Sequence, residues 1–363
     1  MRILAPQVFR IGIPGYVTGK FYTLEGQSVF VRNIFMSEDF FVELEKLVVS
    51  SNGIDGKKAL YSVGKKFGYR FASLNKFPRF DLGRSTTIIF KFFETLYAEK
   101  ITIDLNANSK ELILHTKDLA VTRKNGMGYV LEIGGVAGIW AYLLGDYSVE
   151  CAIKKTSDDE FDLICAPISV LKENKHDFFE CKTAESNYTD ENYIQFNSPP
   201  VSFPQDAYSM DKLMQGRLFG YQQGELKFGV ADARFIPVEI YELYEIERIF
   251  DSKIVYTAAY SSFYSIGKKI QRPPNPEMLI SQALTAFGFG LVSLIRENNS
   301  AFFNFQGYPW LQSNQPKLDF PFLKGALIGF LEGNTGHKYN LGLVKSRNFN
   351  GTFIVSFEVV RNV

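Results

Sequence analysis

The feature that most constrains this chain is an internal repeat. Residues 60–66, with the sequence LYSVGKK, return 203 positions later at residues 263–269 as FYSIGKK. Four upstream residues return at an offset of 202, namely Arg32, Ile34, Glu43 and Glu45 as Arg234, Ile236, Glu245 and Glu247. A repeat of this kind predicts a tandem duplication, in which two copies of one structural unit follow each other along the chain.

Further matches continue downstream in the same order. Apolar stripes at i, i+1, i+4, i+5 and i+8 begin at Ile88 and at Leu279, and each follows residues typical of a helix start. Turns at residues 106–109 and 297–300 separate apolar stretches, which predicts a hairpin in each half. Each half therefore combines helices with antiparallel hairpins.

A last helix in each half carries a small residue at every fourth position, which places these residues on one helical face. We pair three residues of the first half with three of the second, at an offset of 188: Ala137, Ala141 and Gly145 with Gly325, Gly329 and Gly333. Strand pairs over residues 147–166 and 338–359 then close the halves. The pattern predicts an α+β fold of two tandem repeats, each an antiparallel sheet with helices packed on one face.

The repeat sets the predicted domain boundaries. The first repeat covers residues 1–170 and the second covers residues 216–363, with a connector at 171–215 that prolines punctuate. Because the offset falls by about a dozen residues between matched helices, we expect an insertion within residues 74–83. We expect the two repeats to superpose and to pack as an intramolecular pseudo-dimer, so that the chain can be monomeric.

Residues 58–68, KALYSVGKKFG, resemble the second helix of the 4-vinyl reductase domain family. Residues 135–150, which begin GVAGIW, resemble that family's closing helix and strand. The resemblance covers most of residues 20–167 and, through the repeat, 216–363. It implies a fold related to haem-NO-binding domains and to subunits of the TRAPP vesicle-tethering complex.

The cysteines depart from the family pattern. Family members often carry two cysteines on the final hairpin, whereas here Cys151 and Cys165 lie 14 residues apart and the second repeat has none. We therefore carry over no thiol or metal role, and we predict no metal site.

Composition and the absence of known sequence motifs narrow the classes of function that this chain can have. The 40 Lys and Arg against 39 Asp and Glu leave a net charge of +1, which argues against a nucleic-acid partner. The most apolar stretch, residues 284–295, is too short to span a bilayer, and few cysteines and no signal-like run favour the cytoplasm. Without a phosphate-binding loop, a nucleophile elbow, a dinucleotide fingerprint or paired histidines, we predict no catalytic residue and no cofactor.

The repeated Tyr-Ser-x-Gly-Lys-Lys helix is the candidate ligand site. Packing alone rarely requires the same Tyr, Ser, Gly and Lys residues, because cores accept many apolar combinations. The glycines of this helix would let a ligand approach its backbone closely, and its lysines could bind an anionic group. Its tyrosines, together with the two tryptophans of the chain, would form the walls of the pocket. The predicted site residues are Tyr61, Gly64, Lys65, Trp140, Tyr264, Gly267, Lys268 and Trp310. A helix–helix seam between the repeats is the alternative explanation.

The function that these observations favour is non-catalytic. We expect binding of a small apolar or tetrapyrrole-like ligand, a role as a protein-interaction scaffold, or both. The family resemblance implies one alternative, a reductase acting on the vinyl group of a chlorophyll-type precursor. Such an enzyme would need a hydride source, so co-purified pigment or NADPH-dependent turnover would favour it.

Overall fold

A computed structural model of the chain describes residues 9–362. Its gaps are residues 23–27, 98–99, 118–128, 158–159, 182–206, 217–218, 223–224, 229–232, 271–273, 309–318 and 350–351. The chain forms two compact units that interleave along the sequence. Unit 1 comprises residues 1–20, 30–43 and 188–363, and unit 2 comprises residues 21–29 and 44–187.

The described residues form fourteen strands and nine helices. The strands are β1 Phe9–Ile13, β2 Tyr16–Tyr22, β3 Ser28–Ser37, β4 Lys100–Asn106, β5 Glu111–Lys117, β6 Val149–Lys155, β7 Glu160–Pro167, β8 Phe219–Gln222, β9 Glu225–Phe228, β10 Ala233–Glu239, β11 Leu291–Glu297, β12 Ser300–Gln306, β13 Tyr339–Phe349 and β14 Thr352–Arg361. The helices are α1 Glu38–Leu74, α2 Leu82–Tyr97, α3 Tyr129–Leu144, α4 Ile168–Glu173, α5 Met210–Gln215, α6 Ile240–Ile249, α7 Ser252–Lys269, α8 Pro276–Ala286 and α9 Pro321–Thr335.

Two four-stranded antiparallel sheets share one topology. Unit 2 has the order β4-β5-β7-β6, and unit 1 has the order β11-β12-β14-β13. Along β5, buried Leu112 and Leu114 alternate with half-buried residues, as expected for a sheet with one face on a helical core. The α+β class is confirmed, and the common strand order is what a duplication requires.

The third sheet is six-stranded, with the order β1-β2-β3-β10-β9-β8. Its central pair is antiparallel, and Ile34 lies opposite Val238 while Ile236 lies opposite Met36. All seven residues of β10 are buried. The repeated Ile34 and Ile236 therefore lie on the two central, paired strands of this sheet.

The repeated glutamates have the same role in both units. Glu45 Oε2 accepts a hydrogen bond from the amide of Val130 at 3.1 Å, and Glu247 Oε1 accepts one from the amide of Phe322 at 3.1 Å. Both amides belong to the first turn of a glycine-rich helix, α3 or α9, where free N–H groups and the helix dipole favour a carboxylate. The match of Glu45 with Glu247 therefore reflects a real structural equivalence.

A backbone break precedes the motif helix in each half. Helix α1 changes direction at Gly53, which has φ 56° and ψ −130°, a conformation that residues with a side chain rarely adopt. In the other half α6 ends at Ile249, and Asp251 caps α7 by accepting a hydrogen bond from the amide of Lys253 at 2.7 Å. The second part of α1 therefore corresponds to α7.

Glycines bring α3 against α1 in unit 2. A Cβ atom on Gly134 would lie 2.2 Å from the carbonyl oxygen of Tyr61, and one on Gly138 would lie 2.0 Å from that of Lys65. Backbone-to-backbone contact of this kind requires glycine. The contact runs along Gly134 and Gly138 rather than along the predicted stripe that begins at Ala137.

The same packing occurs between α9 and α7 in unit 1. A Cβ atom on Gly325 would lie 2.3 Å from the carbonyl oxygen of Tyr256, and one on Gly329 would lie 2.3 Å from that of Tyr260. The small-residue stripe of the second repeat is therefore confirmed as a face that another helix approaches closely.

These contacts correct the register of the repeat. Tyr264 also contacts a glycine, Gly333, so the glutamate contacts with Val130 and Phe322 are what align α3 with α9. Gly134 lies four residues after Val130 and Gly325 three residues after Phe322, so Tyr61 corresponds to Tyr256. The motif match instead pairs Tyr61 with Tyr264, which is two helical turns further along. Equivalent residues of the two halves are those whose helical turns make the same backbone contact, and a similar run of side chains does not establish that contact.

The predicted insertion within residues 74–83 is also wrong. The offset between matched residues falls by about a dozen, and most of that fall arises because the motif match is two helical turns out of register. The rest of the fall comes from the length of the next helix, because α2 has 16 residues and α8 has 11.

Candidate functional site

A buried cluster of polar side chains in unit 2 lies where α1 meets the edge strand β6. The Tyr61 hydroxyl donates to Glu150 Oε2 at 2.7 Å, and Lys65 Nζ lies 2.9 Å from Glu150 Oε1. Lys65 also donates to the carbonyl of Tyr147 at 3.1 Å, and the amide of Cys151 donates to the Tyr61 hydroxyl at 2.9 Å. We call Tyr61, Lys65 and Glu150 the Tyr61 cluster.

The Tyr61 cluster is buried, with 0% of Tyr61, 3% of Lys65 and 0% of Glu150 exposed. Burial raises the pKa of Glu150, against the opposing effects of Lys65, the Cys181 amide and Tyr61. Burial, and then the Glu150 charge, raise the pKa of Tyr61 well above its usual value, so this phenol remains a proton donor. The cluster therefore holds α1 on the sheet through polar groups that satisfy one another.

Two more predicted site residues lie in unit 2 and face protein. A Cβ atom on Gly64 would lie 1.9 Å from the carbonyl oxygen of Leu131, so Gly64 belongs to the seam between α1 and α3. Trp140 is fully buried, and its indole N–H donates to the carbonyl of Lys110 at 3.0 Å. The structure brings Tyr61 and Lys65 together on Glu150, while Gly64 and Trp140 contact other elements.

The remaining predicted residues belong to the second repeat. Tyr264 is 38% exposed and Lys268 is exposed, both on the surface of α7. Gly267 packs against α9, since a Cβ atom there would lie 2.4 Å from the carbonyl oxygen of Phe330. Trp310 lies outside the described residues. Ligand binding by these residues stays a prediction.

A row of tyrosines on α7 takes the place of the Tyr61 cluster in unit 1. The rings of Tyr256, Tyr260 and Tyr264 follow one another with centroids 6.2 and 5.8 Å apart and planes within 22°. The Tyr260 hydroxyl donates to Glu332 Oε2 at 2.6 Å, and Lys338 Nζ lies 2.8 Å from the same oxygen. We call the three tyrosines the tyrosine ladder. Their i, i+4, i+8 spacing is the sequence signal of the ladder, and the motif match includes only Tyr264 of the three.

Burial and hydrogen bonds shift the pKa values of Tyr260 and Glu332 in opposite directions. Burial, followed by the bond to Glu332, raises the pKa of Tyr260 to about 12. Burial acts to raise the pKa of Glu332, but the bonds from Lys338, Tyr260 and the Tyr339 amide outweigh it and lower that pKa. Glu332 is therefore a carboxylate whose charge Lys338 balances.

A groove of about 500 Å³ lies in unit 1 at the end of the four-stranded sheet where β13 begins, next to Lys338. It is lined from the start of α8, the β11–β12 turn, the end of α9 and the adjoining ends of β13 and β14. Arg361 Nη2 donates to His337 Nε2, and Arg296 Nη2 pairs with Glu277 Oε2 at 2.6 Å. The sequence does not predict this groove, because its residues come from four separate segments and form no local motif.

The described residues hold no group of three or more His, Cys, Asp or Glu side chains that could bind a metal ion. Cys151 and Cys165 are buried opposite each other on β6 and β7, and Cys181 is half-buried. Within the same described residues, no helix has both the length and the apolar character needed to cross a membrane.

Comparison with known proteins identifies no family. No protein-family profile matches the chain, and no curated protein matches it. Among solved structures, the chain is similar to the phenol-responsive sensory domain of the transcription activator PoxR, crystallised with phenol. The identity is 16% and the TM-score is 0.32, over 54% of this chain and 94% of that chain. So low a TM-score supports no conclusion about fold or ligand.

Proposed function

We propose that this protein binds a small organic anion in the groove of unit 1 and catalyses no reaction on it. The observation that carries the proposal is the convergence of Arg361, Arg296 and His337 on a groove of about 500 Å³. Small-molecule sites typically have volumes of about 300–1,000 Å³ and use a few polar groups to orient the ligand.

The lining favours an anion with a carbon skeleton. Within the described residues, Arg361 Nη2 donates to His337 Nε2 and pairs with no carboxylate, so its positive charge is available to a ligand. A planar guanidinium can bind a carboxylate or phosphate through two parallel hydrogen bonds. The groove also has an apolar part, against which the carbon skeleton of a small acid can pack, formed by Pro276, Ala301 and Val359.

The same contacts disfavour acid–base catalysis. A general base needs a free lone pair within reach of the proton that it removes. The Nε2 lone pair of His337 instead accepts a hydrogen bond from Arg361. The groove can therefore hold and orient an anion while its histidine is occupied in positioning the arginine.

The test is a thermal melt of the full chain with citrate, benzoate or inorganic phosphate. A ligand at about 100 times its Kd stabilises the native state by about 2.7 kcal/mol, which is visible as a higher Tm. We expect at least one of the three to raise the Tm, and Arg361→Gln to abolish the increase. Arg84→Gln, an exposed arginine of unit 2, is the control. An increase that survives Arg361→Gln, or none with any anion, would refute the proposal.

The apolar or tetrapyrrole-like ligand and the vinyl reductase are separate proposals for the motif helix. A tetrapyrrole presents a wide apolar macrocycle, whereas the groove has charged walls, so the groove does not suit it. We expect freshly purified protein to be colourless and to show no NADPH-dependent turnover. A bound pigment, seen in the absorbance spectrum and in the intact mass, would favour the tetrapyrrole hypothesis.

A further inference from the structure

In unit 2 the chain covers one edge of its own sheet. Strand β6 is the last in the order β4-β5-β7-β6, and Ala152 on this strand forms an antiparallel bridge with Phe178. The next ring, Phe179, lies 5.5 Å from the ring of Tyr61. Residues 178–181 therefore cover the face that Tyr61 presents at this edge, and Tyr61 is completely buried.

A backbone hydrogen bond and an ion pair hold the covering segment in place. The amide of Cys181 donates to Glu150 Oε1 at 2.8 Å, which adds a hydrogen bond to the Tyr61 cluster. The segment also carries an acidic side chain, Glu180, 3.9 Å from Lys172, and a second acidic residue, Asp177, directly precedes it. What lies on this edge is thus a short, extended, aromatic and acidic peptide.

In the described part of unit 1, no segment covers the equivalent face. By the glycine contacts, Tyr256 and Tyr260 take the places of Tyr61 and Lys65, yet both are only half-buried, and Tyr264 is 38% exposed. Strand β13 is last in the order β11-β12-β14-β13 and, among the described residues, pairs with β14 alone. An exposed strand edge beside exposed aromatic rings is the arrangement that extended peptides recognise.

The charge around this face complements an acidic peptide. Lys268 follows Tyr264 by one helical turn and is exposed. Lys338 balances Glu332, but 73% of its side chain remains exposed. An acidic residue beside the ladder would meet two lysines, as Glu180 meets Lys172 in unit 2.

We propose that the tyrosine ladder and the adjoining start of β13 form a docking site for an extended, acidic and aromatic segment of a partner protein. The aromatic side chain packs on the ladder, the acidic side chains meet Lys268 and Lys338, and the backbone pairs with β13. The pairing is short, because a β-bulge between Leu341 and Val344 interrupts the regular strand. This proposal does not rest on the anion site, although the two adjoin at the start of β13, where Tyr339 also lines the groove.

The experiment uses a fluorescein-labelled peptide of residues 175–181, with Cys181→Ser, titrated with the full chain and followed by fluorescence anisotropy. We expect saturable binding that Tyr260→Ala and Lys338→Glu each weaken at least tenfold. Lys58→Glu, an exposed lysine on α1, is the matched control and leaves the binding unchanged. A peptide with both phenylalanines changed to alanine does not bind.

Hydrogen exchange provides an independent readout of where the peptide lies. Bound peptide slows amide exchange at residues 340–342, where pairing with β13 is expected, because the Tyr339 amide already donates to Glu332. The absence of saturable binding overturns the proposal. So does binding that Tyr260→Ala leaves unchanged, because the peptide would then be replacing the chain's own residues 178–181. Self-association that blocks the peptide likewise overturns it, since a second copy would be the occupant.

Discussion

Two neighbouring glycines of α3 provide a sharp test of the helix seam in unit 2. At Gly138 an added Cβ would lie 2.0 Å from the carbonyl oxygen of Lys65 and 2.6 Å from the amide nitrogen of Tyr69. At Gly135, one turn earlier, the nearest atom would be the carbonyl oxygen of Gly64 at 3.9 Å, an ordinary contact. The same change to alanine should therefore have opposite effects at the two positions.

The magnitudes follow from the geometry. To reach a carbon–oxygen contact of about 3.3 Å, the helices in a Gly138→Ala variant must separate by about 1.3 Å. The obstacle is backbone, which cannot rotate away, so overpacking costs about 1–3 kcal/mol. The higher helix propensity of alanine returns about 1 kcal/mol. We expect a net loss of about 1 kcal/mol for Gly138→Ala and a gain of about 0.5–1 kcal/mol for Gly135→Ala.

The assay is urea unfolding followed by tryptophan fluorescence. The chain has two tryptophans, so a Trp310→Phe background leaves Trp140, which is buried on the same helix α3. We expect the urea midpoint to fall for Gly138→Ala and to rise for Gly135→Ala, with unchanged slope. If Gly138→Ala is as stable as Gly135→Ala, then α1 and α3 are not in backbone contact and the reasoning fails.

Two further predictions concern charged groups of unit 2. Lys65→Met leaves the Glu150 carboxylate buried without its counter-ion, so we expect a loss of about 3–5 kcal/mol in urea unfolding. The double variant with Glu150→Leu should recover most of the loss, and an equally unstable double variant would contradict this. The hydrogen bonds of His115 to Asp104 and then to Asp162 raise its pKa. Their stabilisation should therefore be complete below the unfolded pKa of about 6.5 and be lost as pH rises through the folded value. We expect His115→Gln to flatten this part of the stability profile, and an unchanged profile would contradict the prediction.

Much of the local structure could be predicted from the sequence. Both hairpins lie where apolar stretches flank a polar turn, and three of the four closing strands lie within about two residues of the predicted bounds. The exception is β13, which ends at Phe349 and not at the predicted residue 344. The match of Glu45 with Glu247 identified a true equivalence because each glutamate has one specific task, capping the helix whose first turn holds Val130 or Phe322.

The motif match was less informative about the site. In LYSVGKK the tyrosine and the first lysine face Glu150, whereas in FYSIGKK the corresponding Tyr264 and Lys268 lie on the surface. Identical residue types two turns apart on the same kind of helix meet different neighbours. The role of each side chain depends on which turn of the helix lies beside the sheet edge, and local sequence does not specify that.

The sequence by itself determined the duplication, the element types and the α+β class, since these depend on periodicity, turns and caps within a few residues. Only the tertiary structure decided that residues 1–20 and 30–43 lie in the same compact unit as the second repeat. It also decided which turns of the motif helices are equivalent, where the groove of unit 1 lies, and which sheet edge is covered. The physical reason is that these features depend on contacts between segments that lie far apart in the sequence, which no local pattern connects. Residues 178–181 cover the edge strand β6, whereas the ladder beside β13 stays partly exposed.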